Sequence, residues 1–139
     1  MFYDIFISYH KDQINEVQRF CTRFRQSGIR LWCHQISNNS LINVFDDSLT
    51  ALTHSFLFVC FMSKSYKNSL KCKAELMTAQ EQKIQIVLFL FDDLSEKDSI
   101  FNYPYLEVYN AKEDLDFSIN TIDPKYISIL DKFNNSFDF

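Results

Sequence analysis

A single glycine, Gly28, stands in a chain of 139 residues, and this scarcity excludes more than any other feature of the sequence. A phosphate-cradling P-loop or a dinucleotide-binding GxGxxG turn needs several glycines, because backbone must approach phosphate closely at positive φ. Neither is present. A hydrolase serine on a glycine-flanked elbow is excluded for the same reason. If a nucleotide is bound, side chains must do most of the holding. The length suits one domain, residues 1–139, and is too short for two. With 47% hydrophobic and 23% charged residues, the chain is able to bury a substantial core, and fifteen Phe and seven Tyr make it unusually aromatic.

Strand-like and helix-like segments alternate from the start. Residues 3–8 (YDIFIS) form a short apolar, β-rich run, and residues 12–27 follow with Ile14, Val17, Cys21 and Phe24 at helical spacing. Gly28 stands just past that helix, where a C-terminal stop belongs. Residues 30–33 (RLWC) predict a second strand. The loop Gln35 to Asn43 is polar, with Asn in place of the usual turn glycines, and 44–53 predict a short helix. The run SFLFVCFM at 55–62 has the continuous apolarity of a strand buried on both faces, and is expected at the centre of a parallel sheet. A polar connection at 63–69 leads to a helix over 70–82 with Ser69 as N-cap. A further buried strand is expected at 84–91, an edge strand at 105–109, and a closing helix at 123–134 entered through Pro124. The alternation predicts a three-layer α/β sandwich around a five-stranded parallel sheet.

Charge and cysteine usage narrow the partners. Residues 1–91 carry ten basic and seven acidic groups, whereas 92–139 carry four and eleven. That polarity favours head-to-tail association of copies and argues against nucleic acid. Cys21, Cys33, Cys60 and Cys72 form no CxxC pair, so neither a metal site nor a secreted disulfide scaffold is expected. Reduced thiols in a cytoplasmic domain fit this pattern best. No apolar stretch approaches the ~20 residues of a membrane span.

In a parallel sheet, ligands sit outside the carboxyl ends of the strands. The candidate positions are therefore Tyr9 and His10, His34 with its loop, the segment 63–72, and Asp92 with Asp93. A phospho-receiver domain shares the architecture but needs carboxylates where this chain has Ser8-Tyr9-His10 and Met62-Ser63-Lys64. Glu75 falls one to two turns into the helix after the central strand, close to that edge. Its nearness to a helix N-terminus is expected to favour the ionised form. A turn or capping role for Asp92 and Asp93, and a solvated surface for Glu75, are the plain alternatives.

The opening YDIFISYH resembles the first-strand signature of Toll/interleukin-1 receptor (TIR) domains, and SGIRLWCH is similar to their second strand, which leads into the BB loop. The stretch SFLFVCFMSKSYKNSLKCKAEL resembles their third strand and the segment after it, with Ser63, Tyr66, Ser69, Cys72 and Glu75 in the spacing SxxYxxSxxCxxE. The resemblance implies a flavodoxin-like fold. In catalytic members the glutamate of that segment is required to split NAD between nicotinamide and ribose, a role that falls on Glu75. A lone carboxylate suits that chemistry, because it stabilises an oxocarbenium-like ribose. Tyr9, His10, His34, Lys71 and Cys72 are the residues expected to contact the dinucleotide, with NAD as substrate and neither cofactor nor metal. The resemblance also implies self-association through the loop Gln35 to Asn43, in which Leu41 and Ile42 form an apolar pair. Two other functions stay open: a non-catalytic TIR adaptor that recruits other TIR domains, and a nucleoside deoxyribosyltransferase.

Overall fold

The computed structural model describes residues 3–26, 28–33, 50–92 and 98–111. Strand β1 (Tyr3–Ser8) is followed by a 3-10 turn (Lys11–Gln13), helix α1 (Ile14–Arg25) and strand β2 (Leu31–Cys33). Strand β3 (Ser55–Met62), helices α2 (Lys64–Asn68) and α3 (Leu70–Glu81), strand β4 (Gln85–Leu90), a 3-10 turn (Ser99–Asn102) and strand β5 (Leu106–Asn110) complete the order. His34, the loop Gln35 to Asn43, Asp93 and the closing helix at 123–134 lie outside the described residues, and of the helix expected at 44–53 only 50–53 is described, as helix.

All five strands are parallel, in the order β2-β1-β3-β4-β5. The expected flavodoxin-like α/β sheet is therefore present, with β3 at its centre. Side chains alternate across each strand, so the two faces build separate cores. On one face Ile5, Ile7, Leu57, Val59, Phe61, Val87 and Phe89 pack against Val17, Phe20, Cys21 and Phe24 of α1. Phe20 lies 4.5 Å from Phe24 and meets Phe61 and Phe89 edge-on at 5.7 and 5.8 Å, which accounts for part of the aromatic excess. On the other face Phe6, Phe58, Cys60, Met62, Ile86 and Leu88 pack against Leu52, Tyr66, Cys72 and Ala79. There Phe6 stacks between its register partners, 4.7 Å from Trp32 and 5.5 Å from Phe58.

Three local expectations shift. The segment 63–69 is not simply a connection, because Lys64–Asn68 close one helical turn and a half under a Ser63 cap. Five residues are too few to show a hydrophobic period. The first helix begins with a 3-10 turn at Lys11–Gln13, since His10 Nδ1 accepts the Asp12 N–H and holds the chain in the tighter winding. The edge strand starts at Leu106 rather than at Tyr105, which lies in a turn. At the opposite edge, Asp4 is buried and accepts from the Arg30 backbone N–H at 2.9 Å and from its guanidinium at 3.1 and 3.3 Å. That bond ties the start of β1 to the entry of β2.

Helices α1 and α3 end in the same way. Gly28 at φ +79° closes α1, with Ile29 N–H reaching the Phe24 carbonyl at 3.3 Å. Lys83 at φ +57° closes α3, with Ile84 N–H reaching the Ala79 carbonyl at 3.1 Å. The left-handed residue is glycine in one turn and lysine in the other.

Candidate active site

From β1 the chain crosses to β2 on one side and then to β3 on the other, so the strand order reverses between β1 and β3. The crevice at the carboxyl ends of those two strands is where an open parallel sheet binds its ligand. Ser8 ends β1 there, on the same face as Phe6, and pairs in register with Cys60 of β3.

The spacing SxxYxxSxxCxxE has a physical explanation in this geometry. Ser63 and Ser69 are both extended, and each hydroxyl accepts an N–H three residues on: Tyr66 N–H at 3.1 Å and Cys72 N–H at 3.2 Å. Two caps thus set two helices in succession. The first is just long enough to turn the Tyr66 ring inward, where it is fully buried. The second carries Cys72, Glu75 and Ala79 on its inner face.

Glu75 is only 3% exposed. Its Oε1 accepts the Ser8 hydroxyl at 2.7 Å, and the Ser8 oxygen lies 2.7 Å from the Tyr66 hydroxyl. Serine has one hydroxyl proton and Glu75 takes it, so Tyr66 O–H must donate to Ser8. Among the described residues, Oε2 of Glu75 accepts no hydrogen bond. Burial pushes the carboxyl above its usual range, while the Ser8 bond and the Lys71 charge pull it back in part. The ionising influence expected from the helix N-terminus is overruled. Glu75 stands beyond the first turn of α3, where that field has largely decayed, and desolvation dominates.

The residues expected to contact a nucleotide divide between the two faces of the sheet. Lys71 and Cys72 share the first turn of α3 with the approach to Glu75, and the Cys72 thiol donates to the Tyr9 carbonyl at 3.6 Å. The Tyr9 ring, by contrast, belongs to the core on the α1 face. There its hydroxyl hydrogen-bonds Cys33, which in turn bonds Cys21, and burial raises the Tyr9 phenol well above its normal value. The Cys33 thiol is lowered, first by the Cys21 bond and further by Tyr9, Arg25 and Lys71. His10 lies at the edge as the cap of the 3-10 turn. Its Nδ1 accepts the Asp12 N–H at 3.1 Å and lies 3.4 Å from the Asp12 carboxylate. Asp92 accepts the Lys64 N–H at 2.8 Å and joins the ends of β4 and β3, and Asp12 accepts the Ser65 hydroxyl at 2.7 Å and joins the ends of β1 and β3 at the crevice. Among the described residues no group of three or more His, Cys, Asp or Glu is placed to hold a metal ion, and no helix is long and apolar enough to cross a membrane.

Ser8 is the member of this cluster that residue chemistry alone passed over, whereas Tyr66 fell within the candidate segment 63–72. The available signal was a serine closing an otherwise apolar strand on the same face as Phe6, where only a polar partner justifies a hydroxyl.

Comparison with known proteins agrees with this architecture. The family described as "TIR domain" matches residues 5–123. The TIR domain of the Toll-related receptor TRR-2 from Hydra magnipapillata superposes with a TM-score of 0.65 at 17% identity, over 94% of this chain and 96% of that one. The CMP N-glycosidase BcmB of Clostridium botulinum gives 0.64 at 14% identity, over 88% and 98% of the two chains. The RPS4 and RRS1 TIR domain heterodimer gives 0.62 at 13% identity, over 88% and 94%. At such identities the likeness is one of fold. No curated protein sequence matches the chain significantly.

Proposed function

That the chain belongs to the TIR domain family is the premise from which we propose that it is an NAD glycohydrolase, with NAD as substrate and nicotinamide and ADP-ribose, linear or cyclised, as products. One observation carries the reading: a buried carboxylate at the switch point of the sheet, with one oxygen held by Ser8 and the other accepting no hydrogen bond among the described residues. The bond that breaks joins C1′ of the ribose to the pyridinium nitrogen. Its electron pair leaves with nicotinamide, which departs as a neutral ring and needs no proton. The ribose is left as an oxocarbenium ion, which the Glu75 carboxylate stabilises from close range in a low-dielectric site. Water, or the adenine ring in the cyclising reaction, then attacks C1′, and the proton it releases goes to solvent. The fold neighbour from Clostridium botulinum is an N-glycosidase of CMP, so in that protein a sheet of this form supports cleavage of an N-glycosidic bond.

Lys71 at the start of α3 is the cation best placed to meet the dinucleotide phosphates, and His10 and His34 flank the same edge in sequence. The Cys72 thiol, half-way between Ser69 and Glu75, keeps α3 against the end of β1 through its bond to Tyr9. Incubating concentrated protein with NAD and following nicotinamide release tests the reading. Glu75→Gln keeps size and helix propensity, and is expected to lower turnover by about 10²–10³-fold, the scale of losing one electrostatic stabiliser, while the fold persists. Turnover unchanged in Glu75→Gln moves the chemistry to another group.

A second reading is supported by the outer face of α3, where Leu70 is 83% and Met77 59% exposed. Apolar side chains so placed suit an adaptor that docks other TIR domains, and the RPS4 and RRS1 TIR domains do form a heterodimer. Absence of nicotinamide release across the whole accessible concentration range favours the adaptor. A rate per molecule that climbs with concentration supports an enzyme completed by a second copy through the loop Gln35 to Asn43.

A further inference from the structure

We propose that Ser8 and Tyr66 are positioning residues for Glu75, acting in series to hold Oε1 so that Oε2 alone faces the ribose. The proposal rests on the NAD-cleaving reading for its effect on rate, but its geometry stands apart from it. A glutamate side chain on a helix has three rotatable bonds, and a free carboxylate in a crevice exchanges its two oxygens between solvent and substrate. Here Ser8 is 1% exposed and fixed in a strand that is hydrogen-bonded on both sides. It offers its one proton to Oε1 at 2.7 Å. Alone, a serine hydroxyl is free to rotate toward backbone carbonyls. Tyr66 prevents this, because its own hydroxyl donates to the Ser8 oxygen at 2.7 Å from a ring that is 1% exposed. The Ser8 proton is thereby directed at Glu75 and nowhere else.

The order of donation has a second consequence. Each hydroxyl in the series gives its proton toward the carboxylate, so the series favours the ionised form that a ribosyl cation requires. It offsets part of the burial that opposes ionisation. Tyr66 owes its place to the short helix α2, and Ser8 to the end of β1, so two separate segments must dock before Glu75 is competent.

Two measurements on Ser8→Ala, Tyr66→Phe and the double variant decide the matter. In proteins carrying glutamate labelled with carbon-13 at the carboxyl, the Glu75 resonance, identified by its loss in Glu75→Gln, is followed through a pH titration. Ser8→Ala is expected to move that titration upward, and Tyr66→Phe to move it in the same direction by less. In steady-state NAD cleavage, Ser8→Ala is expected to lower kcat by roughly 10- to 100-fold, the worth of a hydrogen bond to a charged group, with KM little changed. Because the two residues act in series, the double variant falls no further than Ser8→Ala alone. A Glu75 titration that ignores Ser8→Ala, or losses that multiply in the double variant, overturns the proposal. Should Ser8→Ala fail to fold, Tyr66→Phe carries both measurements, since it removes one hydroxyl and leaves the ring in place. If the parent protein cleaves no NAD, the glycohydrolase reading falls by itself, and the titration shifts still decide whether the series holds the carboxylate.

Discussion

Helices α1 and α3 are each twelve residues long and cover opposite faces of one sheet, yet their inner faces differ in kind. Helix α1 turns Val17, Phe20, Cys21 and Phe24 inward and leaves its charged residues outside, as an amphipathic helix does. Helix α3 turns Cys72, Glu75 and Ala79 inward, and places Leu70 and Met77 in solvent. A helix selected for packing alone would reverse that arrangement. Burying a carboxylate with a serine instead of a cation as its bonded partner carries a desolvation cost, and leaving a leucine outside forgoes about 1.5–3 kcal/mol of burial. The aromatic core under α1 offsets that loss. On the proposed glycohydrolase reading, the region that gives up stability is the one that serves chemistry, next to one that concentrates stability.

The comparison is broken most directly at Phe20. Phe20→Ala removes a ring that touches Phe24, Phe61 and Phe89, and is expected to cost about 3–5 kcal/mol in urea unfolding, while NAD turnover per folded molecule is unchanged. A loss of turnover in molecules that remain folded would mean that the α1 face is coupled to the site. The pH dependence of stability probes the other helix. Glu75 titrates above its ordinary value of 4.5 because it is buried, so the unfolded chain releases that proton at lower pH than the folded one. Its contribution to stability is full below pH 4.5 and is lost as pH rises through the folded value. The stability of the parent relative to Glu75→Gln should therefore decline over that window, and a flat difference would place the carboxylate in solvent. The smallest effect concerns the two helix ends. Gly28→Ala at φ +79° is expected to destabilise by roughly 1 kcal/mol, since an L side chain there is strained. Lys83→Gly at φ +57° should change little, because relief of that strain is offset by a more flexible unfolded chain. Equal and opposite shifts in the two melting curves would show that strain alone governs both turns.

Much of this fold is legible in the sequence because its signals are short-range. The run SFLFVCFM has no polar face to expose, so it could only become an interior strand, and Ser69 and Gly28 mark helix ends by hydrogen bonds and φ angles within a few residues. The helix Lys64–Asn68 escaped because a turn and a half contains no period. Of the candidate site, Glu75 and its spacing from Ser69 and Cys72 were legible. The division of Tyr9 and Cys72 between opposite sides of the sheet was not, because Tyr9 lies beyond the end of β1, where the alternation of a strand no longer dictates direction.

Periodicity, capping and composition, which act along the chain, suffice for the alternation of strands and helices, the parallel class of the sheet, the absence of any glycine-built phosphate cradle and the helix turn on which Glu75 falls, and the TIR resemblance singles that carboxylate out. Only the tertiary structure decided what that carboxylate is. Ser8 lies 67 residues from Glu75 and 58 from Tyr66, and nothing local links them. Their meeting depends on β1 and β3 pairing in register and on two capped helices packing over the seam. That packing buries Glu75, raises its carboxyl and holds one of its oxygens while the other accepts no hydrogen bond among the described residues, because desolvation and hydrogen bonding are set by whatever the fold brings within about 3 Å.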